Sequence, residues 1–302
     1  MTQSTIASRI GALGVFAYTD LMPAADVAEF AKRVENWGYG ALWVPDVSAG
    51  RDSLVHSSWL LANTERLVVV AGIVNIYGRD ATSMAGAQVA LAEQSGNRFL
   101  LGLGVSHRAL VEDLRGDKYN NKPIAAMKAY REAMARFPPE STVSPSEKPP
   151  TVLAALGPKM LELAASHADG AYPNNTTAAH TAMAREILGP DKLLCVNQMV
   201  TLETDPARAR AIGRAALVWN LTFPNYQNNW KRLGFEDSDF TDGGSDRLID
   251  AIVAWGDEQA IRARIQAHWA AGADHVCIMP LNPAGAYENP EEKVLALLAP
   301  AG

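Results

Sequence analysis

Eight times along this chain a short run rich in Val, Ile and Leu is paired with a longer stretch of helical period, and this rhythm restricts the fold more than any other feature. Such alternation is the sequence form of βα units on a parallel sheet, because strands covered on both faces read as continuous apolar runs while the covering helices bury one stripe. The strand and helix pairs are predicted at 9–17 with 26–37, 41–44 with 54–63, 67–73 with 81–94, and 99–105 with 124–135. They continue at 151–155 with 159–167, 170–173 with 178–188, and 193–202 with 206–216, and helix 258–271 then leads into strand 275–279. An eighth strand arriving near the C-terminus is what closure of a (β/α)8 TIM barrel requires, and closure removes the exposed sheet edge. In the first helix Val27, Phe30, Ala31 and Val34 share one face, and Gly38 stands where a terminating glycine belongs.

The 302 residues fit one large barrel or two medium domains. The Pro- and Ser-rich stretch FPPESTVSPSEKPP, 137–150, would be the boundary of a two-domain chain. The rhythm resumes after it in the same phase, so it reads as an exposed loop within a single domain spanning 1–302. Residues 219–255 stand outside the rhythm, and their LTFPNYQNNWKRLGF and DFTDGGSD segments suit a helical insertion covering the barrel mouth. A formal net charge of −6 with no Lys/Arg-dense run argues against nucleic acid or an anionic membrane surface as the partner, leaving a small-molecule substrate. Cys195 and Cys277 lie inside apolar runs without metal-ligand spacing, which suits buried free thiols in a reducing compartment. The opening MTQSTIASRIGALGVF has no basic region ahead of its apolar stretch and no small-residue cleavage signal. With no apolar segment approaching the roughly 18 residues of a membrane helix, the expected location is the cytoplasm.

Residues that follow the strands of a barrel point into its site. Here they are mostly polar: Asp46, Asn75 and Tyr77, then Ser106, His107 and Arg108, the turn after the fifth strand, and Asn174 with Asn175. The turn ALGPKM, 155–160, is the cleanest anion-binding candidate: Gly157 allows close backbone approach, Pro158 opens a helix whose first peptide N–H groups are unpaired, and Lys159 adds a positive charge. The same letters also describe an ordinary strand-to-helix turn. GLGVSH, 102–107, begins like a dinucleotide fingerprint and supports a rival Rossmann fold, but His107 occupies the third glycine position and three βα units precede it. Its glycines could instead let a planar ring lie against backbone. His107 between Ser106 and Arg108 is a candidate for proton exchange, and Asp46 for orienting a cofactor or moving a proton; a capping aspartate is the plain alternative. Asp205 before Pro206 reads as a helix cap, and His167, His180 and His268 lie on helical segments where a structural role is expected. HExxH, CxxC, P-loop and GxSxG patterns are absent from the sequence.

The segments GYGALWVPD, VVVAGIVNIYGRDATSMAGAQVALAEQSGNRFLLGLGVSH, PPTVLAALGPKMLELAASHADGAYP and GDEQAIRARIQAHWAAGADHVCIM together resemble the luciferase-like monooxygenase superfamily, most closely its members that use the deazaflavin coenzyme F420. The resemblance implies a ring stacked at the barrel mouth against a bulge made by a non-prolyl cis peptide in the third strand, which maps to Gly72–Ile73 in AGIVN. It further implies a polar ring contact from Asn75, a backbone and side-chain contact set at Ser106, Ala155 and Leu156, a phosphate turn at Gly157, Pro158 and Lys159, and an acidic ring-edge position at Asp46. A homodimer is implied as well. Dehydrogenases of this superfamily place a histidine directly after that aspartate, whereas Val47 stands here, so His107 is the substitute candidate base. The expected activity is hydride transfer between coenzyme F420 and a small organic substrate. A flavin mononucleotide (FMN) monooxygenase, a cofactor-free barrel lyase or isomerase using the 157–159 turn, and a non-catalytic flavin-binding protein are the alternatives.

Overall fold

The computed structural model describes residues 5–138, 143–284 and 289–300. Its nine parallel strands are β1 (Leu13–Phe16), β2 (Ala41–Val44), β3 (Val68–Asn75), β4 (Phe99–Gly104), β5 (Thr151–Ala154), β6 (Gly170–Tyr172), β7 (Leu193–Thr201), β8 (Val253–Trp255) and β9 (His275–Pro280). All but β8 form a ring: β6 to β1 pair in reverse chain order, β1 pairs β9, β9 pairs β7, and β7 returns to β6. This is the (β/α)8 barrel the rhythm predicts. The helices are α1 (Thr5–Ile10), α2 (Ala24–Asn36), α3 (Ser53–Ala62), α4 (Ala81–Gln94), α5 (Pro123–Met134), α6 (Pro158–His167), α7 (Ala178–Leu188), α8 (Pro206–Leu217), α9 (Pro224–Arg232), α10 (Asp246–Ile252), α11 (Glu258–Ala270) and α12 (Glu292–Leu298). Sequence-coded caps start several of them. Asp52, Asp80, Asp205 and Asp257 each accept a backbone N–H from the first turn of the helix that follows.

Strand alternation sorts the apolar residues into two layers. Val15, Leu42, Val69, Leu101, Leu153, Val196 and Ile278 face the helices, where Phe30, Leu60, Leu161 and Ile261 meet them. Phe16, Trp43, Val70, Leu100, Val152, Tyr172, Cys195 and Cys277 belong to a second cluster inside the barrel. At its heart the Trp43 indole stacks on Tyr172, ring centroids 4.3 Å apart, and its N–H donates to His275 Nε2 at 3.0 Å. The other nitrogen of His275 then carries the hydrogen and donates to the Gly11 carbonyl at 2.8 Å. Burial lowers the His275 pKa to about 4, so the ring stays neutral in this role. Both cysteines are free and buried, as expected.

Three details depart from expectation. The strand predicted at 9–17 starts later, because 5–10 is helical: Ile6 and Ile10 of α1 join the inner cluster and close the N-terminal end of the barrel. A six-residue helix with two buried positions has no period to read. The insertion is not wholly helical; it ends in β8, which pairs with the upper half of β7 at Met199–Val253 to Thr201–Trp255 and leaves a short edge outside the ring. The C-terminal α12 was also not anticipated; its Val294, Leu295 and Leu298 complete the outer layer. The predicted loop at 137–150 has no helix or strand where it is described, and 139–142 lie outside the described residues. Among the described residues no helix is long and apolar enough to cross a membrane.

The inner layer is packed to the point that a methyl group matters. A Cβ on Gly14 would lie 2.6 Å from His275 Nε2 and 2.9 Å from the Ala41 carbonyl oxygen, and the latter is backbone that cannot swing aside. Gly14→Ala is therefore expected to destabilise the fold by roughly 1–3 kcal/mol, the usual range for overpacking, measured as a lower denaturant midpoint at unchanged m-value. An unchanged midpoint would mean that the barrel interior is looser than this geometry.

Candidate active site

The C-terminal mouth carries two groups of polar residues on adjacent arcs of the barrel, β2–β4 and β5–β6. On the β2–β4 arc, β3 gains a residue on β4: Ala71 pairs Leu101 but Val74 pairs Leu103, and the Gly72–Ile73 peptide within this bulge is cis. The bulge sends the Ile73 side chain across β4, where a Cβ on Gly104 would fall 2.2 Å from Ile73 Cδ1. The space above the GLGVSH glycines is thus taken by Ile73 rather than left open for a ring. Just past the bulge, the Asn75 backbone N–H donates to Asp46 Oδ2 at 3.1 Å, and its Oδ1 accepts from the Tyr77 N–H at 3.0 Å. Ser53 adds a weaker bond to Asp46 Oδ1 at 3.4 Å, and the Arg115 guanidinium lies 3.9 Å away. Burial pushes the Asp46 carboxyl pKa up, opposed by the Asn75 N–H and then by Arg115. Around these groups is a cleft of about 210 Å³.

The β5–β6 arc is richer in unused hydrogen-bonding capacity. Of nine buried side-chain polar atoms without a protein partner among the described residues, five gather here: Asn175 Nδ2 and Oδ1, Thr176 Oγ1, His180 Nδ1 and Asn229 Nδ2. Two more, Asn75 Nδ2 and Arg115 Nε, belong to the first arc. An unpaired buried polar atom costs about 1–3 kcal/mol, so seven at one mouth mark where a polar ligand would be held. Asn175 and Thr176 follow β6; His180 stands in the first turn of α7; Asn229 comes from α9 in the insertion. His180 Nε2 donates to the Leu156 carbonyl at 2.8 Å, tying α7 to the ALGPKM turn, and Trp230 of α9 donates to the Asn175 carbonyl at 3.0 Å.

At Gly157 the backbone is extended (φ −92°, ψ 156°) and caps α6, with Ala155 buried behind it and Pro158 opening the helix. A Cβ there would meet only Arg232, 3.4 Å from Nη2. Arg232 itself bonds Asn229 Oδ1 at 3.2 Å and has no carboxylate partner among the described residues. The cation facing this turn is therefore Arg232. Lys159, the cation expected from the sequence, sits one residue into the helix with its side chain exposed. Neither Arg232 nor His180 was singled out from the sequence. Arg232 comes from a segment 75 positions beyond Gly157, and His180 is one of four helical histidines, the others being His56, His167 and His268.

His107 sits between the two arcs. It follows Ser106, a non-glycine residue at φ 55°, and the Phe223 ring of the insertion stacks on it at 3.7 Å and 4°. Burial lowers its pKa to about 4, against an Asn225 side-chain hydrogen bond that favours the charged form. The ring is accordingly a neutral acceptor at physiological pH. Arg108, by contrast, points away to Glu112 and Asn121. A larger open groove of about 700 Å³ runs along α11 outside the barrel, but none of its lining residues carries an unpartnered buried group.

The comparisons with known proteins agree with this geometry. The 5,10-methylenetetrahydromethanopterin reductase of Methanolobus tindarius is 30% identical over 166 residues, a stretch equal to 50% of this chain and 51% of that protein. The chain thus spans about half the length of the curated relatives it matches. The coenzyme F420 dependent tetrahydromethanopterin reductase from Methanopyrus kandleri superposes with a TM-score of 0.70 at 17% identity, over 96% of this chain and 97% of that one. The oxygenating constituent of 3,6-diketocamphane monooxygenase from Pseudomonas putida, solved with FMN, reaches a TM-score of 0.67 at 10% identity over 96% and 97%. These identities establish a shared fold. The profile of luciferase-like monooxygenases matches residues 3–275, and the chain belongs to that family.

Proposed function

We propose that the chain is an oxidoreductase that transfers a hydride between coenzyme F420 and a small organic substrate at the C-terminal mouth of the barrel. The observation that carries this reading is the cluster of unpartnered polar atoms around Gly157 and Arg232, which has the charge and donor set for the phosphate of a ribityl tail. A relative and two structural neighbours named for coenzyme F420 support the choice of cofactor. Bound there, the deazaflavin would supply a two-electron carbon centre for the hydride.

The chain's own residues divide the remaining work. Gly157, the α6 N-terminus, Arg232, Thr176 and Asn175 would hold the tail, while Ile73 and the Asn75 amide would bound the ring with Asp46 at its edge. His107, neutral and covered by Phe223, would take or return the proton that accompanies the hydride. The Phe223–Tyr226 face of the insertion excludes water from that nitrogen-bearing edge.

Titration should find micromolar or tighter binding of coenzyme F420 and weaker binding of FMN; the reverse order would favour the monooxygenase chemistry. In the same assay Gly157→Asp should weaken cofactor binding at least tenfold, about 1.4 kcal/mol, without loss of fold. Its carboxylate would pair with Arg232 in place of phosphate, while the extended backbone and cap position suit an aspartate. Unchanged affinity in the folded variant would move the phosphate site elsewhere.

His107→Gln should lower turnover about 10²-fold or more while leaving cofactor affinity within a factor of two. The pH dependence follows from the lowered pKa: a base that titrates at about 4 is competent above that value and is lost as pH falls through it. An activity limb near pH 6.5 that disappears in the variant would contradict this assignment.

A further inference from the structure

We propose that the cleft between the β2 and β3 turns is a carboxylate subsite, and that Arg115 is the residue that selects an acidic substrate. This rests on reading the mouth as the active site and names the substrate class that reading leaves open.

Three arginines, Arg51, Arg79 and Arg115, line the cleft together with two carboxylates, Asp46 and Asp52. Two of the arginines are committed. Arg79 pairs with Asp52 at 2.6 Å, and that aspartate also caps α3. The Arg51 guanidinium donates to the carbonyls of Thr19 and Met22, neutral acceptors that fix it without cancelling its charge, and Asp20 accepts the Arg51 backbone N–H at 2.8 Å.

Arg115 is different. It follows the π-helical turn Leu110–Leu114 and reaches back over the β3 turn, where a Cβ on Gly78 would lie 3.2 Å from its Nη1. Its Nε is buried without a partner, and the carboxylate facing it, Asp46, is 3.9 Å from its other terminal nitrogen, beyond hydrogen-bond range. Asp46 is already engaged by the Asn75 N–H at 3.1 Å and by Ser53 at 3.4 Å. A guanidinium with a free N–H edge, beside a bare glycine turn, is matched by the two oxygens of an incoming carboxylate. A neutral amide of the same size offers one oxygen and sets its own N–H groups against the donors.

Butyrate and butyramide, close in shape and different in charge, test this by calorimetric titration of the full chain. Wild type should bind butyrate at least tenfold tighter than butyramide. Arg115→Gln should bring the ratio below twofold, Arg115→Lys should leave an intermediate ratio, and Arg232→Met should leave the wild-type ratio intact. Retention of an intermediate ratio in the Lys variant separates loss of the contact from loss of fold. Equal binding of the two probes by wild type, a ratio that survives Arg115→Gln, or a ratio abolished by Arg232→Met would each overturn the subsite. Loss of coenzyme F420 binding in Arg232→Met alongside an intact butyrate preference supports it, and a wild-type chain that binds no coenzyme F420 yet keeps the Arg115-dependent preference would fail the cofactor reading alone.

Discussion

Trp43 is the side chain around which the mouth is organised. A tryptophan inside an eight-stranded barrel needs neighbours that yield volume and a partner for its indole N–H, because a buried donor left unpaired would cost what the burial gains. Both conditions are met by residues far apart in sequence. Gly72 provides the volume, since a Cβ there would be 2.5 Å from Trp43 Cε3, and His275 provides the acceptor. His275 in turn excludes any side chain at Gly14 and is oriented by Gly11, so the floor of the site is anchored to the loop between α1 and β1. Directly above Gly72 the strand carries its bulge, Ile73 lies over Gly102 and Gly104, and the Asn75 N–H is bonded to Asp46.

The rim follows a different economy from the floor. Below, the Trp43 N–H is matched by His275, and between α7, α11 and β7 His268 is matched by both Thr181 and Gln198, with Asn197 Oδ1 the exception. Above, unmatched atoms collect at two places, one on each side of His107. Unpaired groups at this density are unstable as a structural solution and sensible as a binding one, because a ligand with a phosphate at one end and polar ring atoms at the other would satisfy both sets at once. The insertion makes the arrangement possible. Trp230 fastens α9 to the loop after β6 through the Asn175 carbonyl, which brings Arg232 and Asn229 against the Gly157 turn, and the same helix begins with the residues that cover His107.

Much of this was legible in the sequence, for physical reasons that also explain what was not. The eight ring strands announce themselves because burial on both faces demands runs rich in apolar residues, as at 67–73 and 193–202. The cap at Asp205 before Pro206 was read in the same way, from local chemistry. By contrast α1 and β8 are short and gain their stability from contacts with distant segments, so no local period marks them. The cation that lies against the Gly157 turn escapes the sequence for the same reason. Lys159 is adjacent in sequence, but its place on the first turn of α6 carries it outward, whereas Arg232 arrives by tertiary packing of a helix whose relation to β5 no spacing encodes. His180 looked like any helical histidine, and only the bond to Leu156 identifies its second nitrogen as unmatched.

On the proposed reading, His107 after β4 would take the place of the histidine that Val47 replaces after Asp46, and its electrostatic setting differs. A base beside Asp46 would sit within the field of that carboxylate and of Arg115, each pulling its pKa in opposite directions. His107 lies instead under Phe223, where desolvation is the leading influence and the ring is held neutral. The proposed roles would thereby be separated: Asp46 is held by Asn75 and Ser53 near Arg115, and His107 would exchange its proton in a drier place. Separation has a structural consequence as well. Because Phe223 belongs to the insertion and Asp46 to a barrel strand end, the cover of the proposed base comes from the insertion, while the carboxylate is placed by the barrel alone.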